Sequence, residues 1–387
     1  MRDVVVLGVG MTLFGKQTDK SLRELGEEAS FLALKDAGVR PGDIEAAWCG
    51  NVLGSLCGQQ AGVGQIALEQ VGVTGIPVVR IENACSSASF AFKEAFMAVA
   101  SGFYDIVIAM GIEKMSGYDT AATLRAMAGT SDYELEGVQG ITFPGVFAMI
   151  TRRHMHHYGT TLDQIARVAV KNRGNGSFNP KSQFQGRVSV DDVFQSRMIS
   201  SPLTLYNCCP ISDGCAVAVL TTERVAKRYT STPIYVAASE QTSGTYREDL
   251  DITQFEPTIK AAKKAYEQAG IGPEDVSFAE VHDCFTIAEI LHYEDLGFCN
   301  KGEGGPMVES GETEINGKIP VNPSGGLLSK GHPIGATGVA QIVEIVEQLR
   351  GHCGDRQVKT PKIGLAHCLG AFRHADVCSA SVTLLKK

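Results

Sequence analysis

Residues 81–89 read Ile81-Glu82-Asn83-Ala84-Cys85-Ser86-Ser87-Ala88-Ser89. A β-branched run (Val78, Val79, Ile81) precedes this stretch, and a run rich in alanine, phenylalanine and methionine follows it from Ala88 to Ala100. The pattern predicts strand, tight turn and buried helix, with Cys85 at or just before the helix N-terminus. Unpaired N–H groups and the helix dipole favour an anion there, so the thiol is expected to ionise more easily. The small residues Ala84, Ser86, Ser87 and Ala88 clear space above the sulfur, which a substrate needs and a packing cysteine does not. Cys85 is therefore the candidate nucleophile, weighed against a buried structural cysteine.

With 387 residues, 44% hydrophobic and 20% charged, the chain can bury two packed domains or one large duplicated one. A formal net charge of −8 argues against nucleic acid as a partner. Charge is uneven, however. Between Thr151 and Ser200, eight Lys/Arg, among them Arg152, Arg173 and Lys181, stand against three acids. Such an excess suits either a polyanionic small molecule or a solvated basic surface. Eleven cysteines, an odd number with no leader pattern, point to free thiols in a reducing cytoplasm. No apolar run approaches the ~20 residues of a membrane span. Gly8-Val9-Gly10 follows a first strand, but the next glycine is Gly15, so the dinucleotide fingerprint fails.

An internal repeat suggests the architecture. Ala37-Gly38-Val39-Arg40-Pro41-Gly42-Asp43-Ile44 recurs as Ala269-Gly270-Ile271-Gly272-Pro273-Glu274-Asp275-Val276. Each copy follows a helical pattern and precedes a strand. The first helix, Ser21 to Ala37, carries Ser21 as N-cap, Glu24 at the capping-box position and Gly38 as C-cap. Alternating βαβ patterns in both halves imply an α/β fold with largely parallel sheets. Residues 1–115 with 210–228 read as one half, 229–387 as the other, and 116–209 as an insertion covering the active-site mouth.

Three stretches of the second half carry site-like chemistry: Val281-His282-Asp283-Cys284-Phe285, Asn322-Pro323-Ser324-Gly325-Gly326 with Gly331-His332-Pro333-Ile334-Gly335-Ala336-Thr337-Gly338, and Ala366-His367-Cys368-Leu369-Gly370. Each lies at a predicted strand end or helix start, where ligands of α/β sheets sit. Cys368, His374 and Cys378 lack the CxxC spacing of a zinc site, and no metal is expected.

Asn83-Ala84-Cys85-Ser86-Ser87, His282-Asp283-Cys284-Phe285, Gly331-His332-Pro333-Ile334-Gly335-Ala336-Thr337-Gly338 and Cys368-Leu369-Gly370 together resemble the four signature blocks of thiolases. His-Asp-Cys-Phe, Val170-Lys171-Asn172-Arg173 and Ser196-Arg197-Met198-Ile199 are similar to the sterol-carrier-protein-type branch. The resemblance implies the five-layered α-β-α-β-α thiolase fold built from two duplicated halves. It also implies a homodimer or dimer of dimers, and acyl transfer on coenzyme A thioesters with no permanently bound cofactor. Cys85 would take the acyl group, activated by His332. His332 and His282 would form one oxyanion hole, and the N–H groups of Cys85 and Gly370 the other. Cys368, or alternatively Cys284, would move the α-proton, with Cys368 preferred. Arg152, Arg173 and Lys181 would hold the phosphates of CoA. His156, within His154-Met155-His156-His157-Tyr158-Gly159, would face the site. A small zinc-ribbon/OB-fold partner accompanies some relatives of this branch. His367-Cys368 stands where branch members carry His-Asn, and Ala371-Phe372-Arg373-His374-Ala375-Asp376 replaces a Gly-rich tail, which is expected to reshape the acyl pocket or a partner surface. A decarboxylating condensing enzyme and a non-catalytic thiolase-like subunit are the alternative readings.

Overall fold

The computed structural model describes residues 2–54, 61–247, 249–374 and 376–387. β1 (Val4–Met11) opens the chain and α1 (Leu22–Ala37) follows. Ser21 and Glu24 cap α1 reciprocally, and Gly38 ends it at φ 68°, the left-handed stop that glycine takes without strain. Next come β2 (Ala46–Gly50), α2 (Val63–Glu69), β3 (Val78–Ile81), α3 (Ser87–Ser101) and β4 (Ile106–Glu113). The excursion that follows holds α4 (Thr120–Ala128), α5 (Phe143–Tyr158), α6 (Leu162–Gly176) and α7 (Val190–Gln195). It closes with the small pair β5 (Met198–Ser200) and β6 (Leu203–Thr204) before β7 (Gly214–Thr222). α8 (Glu223–Ala226) closes the first half, and β8 (Ile234–Ser243), α9 (Glu256–Ala269) and β9 (Phe278–Glu280) begin the second. α10 (Thr286–Asp295), α11 (Gly304–Glu309), α12 (Gly326–Lys330), α13 (Thr337–Arg350), β10 (Ile363–Arg373) and β11 (Asp376–Lys386) complete it.

The strands run in the order β3-β2-β4-β7-β1-β8-β11-β10-β9. β1 and β8 meet through Val5–Tyr235 and Val6–Ile234 alone, so the array is two sheets joined at an edge. Strand alternation decides what each face touches. In β7, Cys215, Val217 and Val219 share a core with Leu25 and Ala29 of α1 and Leu68 of α2. Ala216, Ala218 and Leu220 point the other way, to Phe92 and Phe96 of α3 and Val343 of α13. That second core also takes Phe278 of β9 and Leu385 of β11, which places α3 and α13 between the sheets. Ala261 of α9 and Ile290 of α10 cover Leu365 and Val382 on the far side. Five layers, α-β-α-β-α, result.

The sheets differ from the largely parallel expectation. β2 is parallel to β3 and β4, and β9 to β10. The pairs β4–β7, β1–β7, β8–β11 and β10–β11 are antiparallel. β7 enters after a long excursion and β11 after a tight turn, so neither is the end of a βαβ crossover. The excursion is mostly helical, although its hydrophobic period is weak. α6 hides its period because Gln164, Lys171, Asn172 and Asn175 are among its buried residues.

Gly8 and Gly10 serve helix packing rather than a phosphate. A Cβ on Gly8 would overlap the backbone of Ala33 and Ala37, and one on Gly10 the backbone of Ala29 and Ala33. Gly8→Ala should therefore destabilise the chain by about 1–3 kcal/mol. At Gly42 a Cβ meets nothing within 4 Å, and Gly42→Ala should stay within about 0.5 kcal/mol of the parent. Equal thermal midpoints for the two variants would contradict this packing account.

Candidate active site

Cys85 sits in the turn between β3 and α3. Ala84 before it has φ 48°, a left-handed conformation that costs a non-glycine residue about 1–2 kcal/mol. Side chains around the turn hold that geometry. Asn83 N donates to Ser87 Oγ at 2.8 Å, Ser87 Oγ to Ala84 O at 2.6 Å, and Ser86 Oγ to Asn83 O at 2.8 Å. The second half completes the clamp, with Ser379 Oγ of β11 2.7 Å from Ser86 Oγ. Gly370 of β10 lies so close to Asn83 O that a Cβ would overlap it.

Two histidines converge on this turn. The Cys85 Sγ and one ring nitrogen each of His282 and His332 lie within 4.8 Å of one another. His332 Nδ1 is 2.7 Å from Thr337 Oγ1, whose hydroxyl donates to Pro333 O at 3.2 Å. With that hydroxyl's one proton given to Pro333 O, Nδ1 carries the ring proton and Nε2 is left as a base. Ser212 Oγ accepts from His332 N at 3.0 Å, which fixes the loop entering α13. His282 Nδ1 is 3.2 Å from Cys368 Sγ, and that sulfur is 3.2 Å from Cys85 O. His292 Nε2 lies 3.1 Å from His282 O.

Asp283 belongs to the scaffold. It accepts from Leu327 N and Leu328 N at the start of α12, at 2.7 and 3.2 Å. Asn172 Nδ2 donates to both Asp283 and Glu289, at 2.7 and 2.6 Å, and Lys171 pairs with Glu289 at 2.7 Å. Burial and the Glu289 charge push the Asp283 carboxyl up to about 8. Asn322 likewise braces a strand end, its Oδ1 accepting from Val281 N at 2.8 Å. The Asn-Pro-Ser-Gly-Gly stretch, site-like in sequence, thus supports the site from behind.

Desolvation works against the expected easy ionisation of Cys85. Burial pushes its thiol up to about 12, the Glu113 carboxylate adds to the rise, and the N–H groups of Cys85 and Ala371 oppose it. Cys85 is half-buried by its accessible surface, yet protein packs closely around the turn; a helix N-terminus is worth at most ~2 kcal/mol, and desolvation shifts a pKa by as much or more. Burial wins. The same cause takes His332 down to about 3 and His282 well below its ordinary value, where His332 and His367 also act on it. The resting site therefore holds a thiol and neutral imidazoles.

A cavity of about 400 Å³ opens above Cys85, His282 and His332. Cys284 lines it, as do Leu369 and Ala371, while Cys368 and Gly370 do not. The sequence favours Cys368 as the proton carrier; access to the cavity favours Cys284. Ala371, at φ 58°, supplies the N–H that acts on the Cys85 sulfur, one residue beyond the expected Gly370. The excursion contributes Met127, Phe143 and Phe147 to the walls. From the atypical tail comes Phe372, edge-on to Phe147 with centroids 5.2 Å apart. Ala375 of that tail lies outside the described residues.

Neither the three basic residues expected to hold CoA nor His156, expected to face the site, lines the cavity. Arg173 is buried with its guanidinium 3.9 Å from the Phe184 ring centroid and 5.1 Å from that of Tyr206. Lys181 pairs with Glu347 at 3.1 Å. His156 is exposed on the last turn of α5, while the buried histidine there is His154, 2.8 Å from Thr160 Oγ1. Arg152 is exposed and donates to Ser201 O and Oγ at 3.1 and 2.8 Å. Thr337, Ser212 and Ala371 escaped the sequence reading. Thr337 alone had a signal, five residues after His332 on the start of a helix. Among the described residues Glu344, Glu347 and Cys353 also cluster, but Arg356 pairs with both carboxylates at 3.1 and 2.7 Å and stands where a cation would.

Residues 4–224 match the model of the thiolase N-terminal domain, and residues 238–385 that of the thiolase C-terminal domain-like family. Acetyl-CoA acetyltransferase of Methanothermobacter thermautotrophicus is 48% identical over 96% of this chain and 97% of its own. Benzoylsuccinyl-CoA thiolase subunit BbsB of Thauera aromatica is 40% identical over 95% of each chain. The solved Ltp2-ChsH2(DUF35) aldolase superposes with a TM-score of 0.85 at 27% identity, over 99% of this chain and 97% of that one. With both domain models matched in order and the fold in agreement, this chain belongs to the thiolase family.

Proposed function

We propose that the chain transfers acyl groups between CoA thioesters, cleaving a 3-oxoacyl-CoA with free CoA or running the reverse condensation. The observation that carries this reading is the convergence of Cys85, His282 and His332 on the floor of one cavity. His332 Nε2 takes the Cys85 proton as the sulfur attacks the thioester carbonyl. The tetrahedral oxyanion lies against the N–H groups of Cys85 and of the Gly370–Ala371 segment. Collapse expels the leaving group, which takes a proton, and leaves the acyl on sulfur. In condensation, the Cys284 thiol gives its proton to the departing CoA thiolate; the Cys284 thiolate so formed removes an α-proton from the second thioester, and the enolate oxygen sits between His282 and His332. The enolate carbon then attacks the acyl carbon and frees Cys85. Cys368, behind His282, positions that ring. Arg152 is the remaining candidate for the CoA phosphates.

We further propose a homodimer through β3, an edge strand of the described sheet, whose Val79 is 47% exposed, with α3, which packs against β3, carrying the exposed Met97. Unpaired edges of this kind seek a partner. The relative named Ltp2-ChsH2(DUF35) aldolase joins a second component in its name, which supports a small companion subunit here too. Ten described cysteines are free and Cys57 lies outside the described residues, in keeping with a cytoplasmic site of action. No helix among the described residues is long and apolar enough to cross a membrane. Light scattering giving a one-chain mass at micromolar concentration would remove the dimer, and full activity of the chain alone would remove the need for a companion.

Cys85→Ala should abolish acyl-enzyme formation, read as the acyl mass adduct after incubation with a 3-oxoacyl-CoA; full labelling of the variant would refute the nucleophile. With the thiol near 12, iodoacetamide alkylation of Cys85 should rise about tenfold per pH unit from pH 6 to 9, because the thiolate fraction does. A plateau starting near pH 6 would mean an ion pair instead. Cys284→Ala should keep the Cys85 adduct but lose about 10²–10⁴ in condensation rate, with Cys368→Ala losing less. The reverse ranking would return the proton transfer to Cys368.

A further inference from the structure

The cavity above Cys85 exceeds what transfer of a two-carbon unit needs. It measures about 400 Å³, whereas roughly 150 Å³ accepts benzene, which has about as many heavy atoms as an acetoacetyl fragment. Its composition is as telling as its size. Phe143, Phe147, Phe372, Met127, Ile150 and Ile252 form the walls beyond the reacting groups. Among the described residues no lysine or arginine lines the cavity, and Glu136 is the one carboxylate that does. That carboxylate is fixed at the wall by His374 N, which donates to Oε1 at 2.7 Å. Arg373 next to it is turned to Asp132, 3.3 Å away, and is not among the lining residues either.

We infer that the acyl chain this site accepts on Cys85 is bulky, apolar and uncharged, and that Glu136 acts as a specificity residue against chains carrying a carboxylate. The inference rests on the acyl-transfer reading and names its substrate class. A short acyl group leaves most of the apolar wall without contact, whereas each methylene buried there contributes about a fourfold gain. A carboxylate-ended chain would enter a site where no described lysine or arginine lines the wall and one like charge does, which penalises it twice.

Thiolysis with CoA is to be followed for acetoacetyl-, 3-oxohexanoyl-, 3-oxooctanoyl- and 3-oxoadipyl-CoA, together with mass detection of the Cys85 adduct in the same samples. The kcat/KM for 3-oxooctanoyl-CoA should exceed that for acetoacetyl-CoA by at least about tenfold. That for 3-oxoadipyl-CoA should fall at least about tenfold below its uncharged six-carbon counterpart, 3-oxohexanoyl-CoA. Glu136→Gln should narrow the second gap by about tenfold or more. Adduct formation with acetoacetyl-CoA as the best or an equal substrate would overturn the size inference and leave acyl transfer standing. Equal rates for 3-oxoadipyl- and 3-oxohexanoyl-CoA, or a gap untouched by Glu136→Gln, would overturn the role of Glu136. Absence of both adduct and thiolysis for all four thioesters, with a folded sample, would overturn the acyl-transfer reading and this inference with it.

Discussion

The nucleophile's geometry depends on one close approach between the two halves, β10 against the turn at Asn83–Cys85. Gly370 allows it, since any Cβ there would strike Asn83 O. Across that contact Ser379 meets Ser86, and the Cys368 sulfur reaches Cys85 O. Ala84 stays in a left-handed conformation because bonds from both halves determine the turn around it. The central helices show the same closeness, with Gly338 of α13 against Ser89 of α3. Glu113 extends the join, accepting from Val52 N, Leu53 N and Gly335 N at 2.9, 2.9 and 3.0 Å. One buried carboxylate thereby ties the first half to the loop that carries His332.

Such closeness has an electrostatic consequence. The layers that press Cys85 and the histidines together also remove water from them, and desolvation opposes charge on each. The site keeps its proton on sulfur until a carbonyl arrives to accept the electrons. A pre-formed thiolate at this depth would have to be stabilised against Glu113, whose carboxylate raises the Cys85 thiol. A resting thiol is also a poorer target for oxidants and alkylating agents than a thiolate, which suits a chain with many free cysteines.

The strand–turn–helix around Cys85, the capped first helix and the internal repeat were legible in the sequence because each is local. Their signals lie within a few residues: Ser21 with Glu24, Gly38 after Ala37, small residues around Cys85. The motif residues His282, His332 and Cys284 were legible too, in polar turns at a strand end or a helix start. What escaped was set by contacts distant in sequence. Nothing near Gly214 announces that β7 will lie antiparallel between β4 and β1. At Cys85 the helix start is visible in sequence, whereas the desolvation that opposes ionisation is not. Arg173 and Lys181 looked like free cations, and only their neighbours Phe184, Tyr206 and Glu347 reveal them as engaged.

Chemistry and selectivity draw on different parts of the chain. The reacting groups come from turns braced by buried bonds, such as Asp283 on α12 and Asn322 on Val281, so small shifts there are resisted by rigid elements. The acyl chamber is instead built where the α4–α5 region meets the end of β10 and the residue after it, with Phe147 on Phe372, Asp132 on Arg373 and Glu136 on His374. These contacts link two segments more than two hundred residues apart without touching the reacting atoms. Substitutions in either segment can change the volume and charge of the chamber while the clamp on Cys85 stays as it is. The tail's departure from glycine is then a means of setting which chain fits, since a phenylalanine at 372 can pack as a wall where glycine would leave a gap.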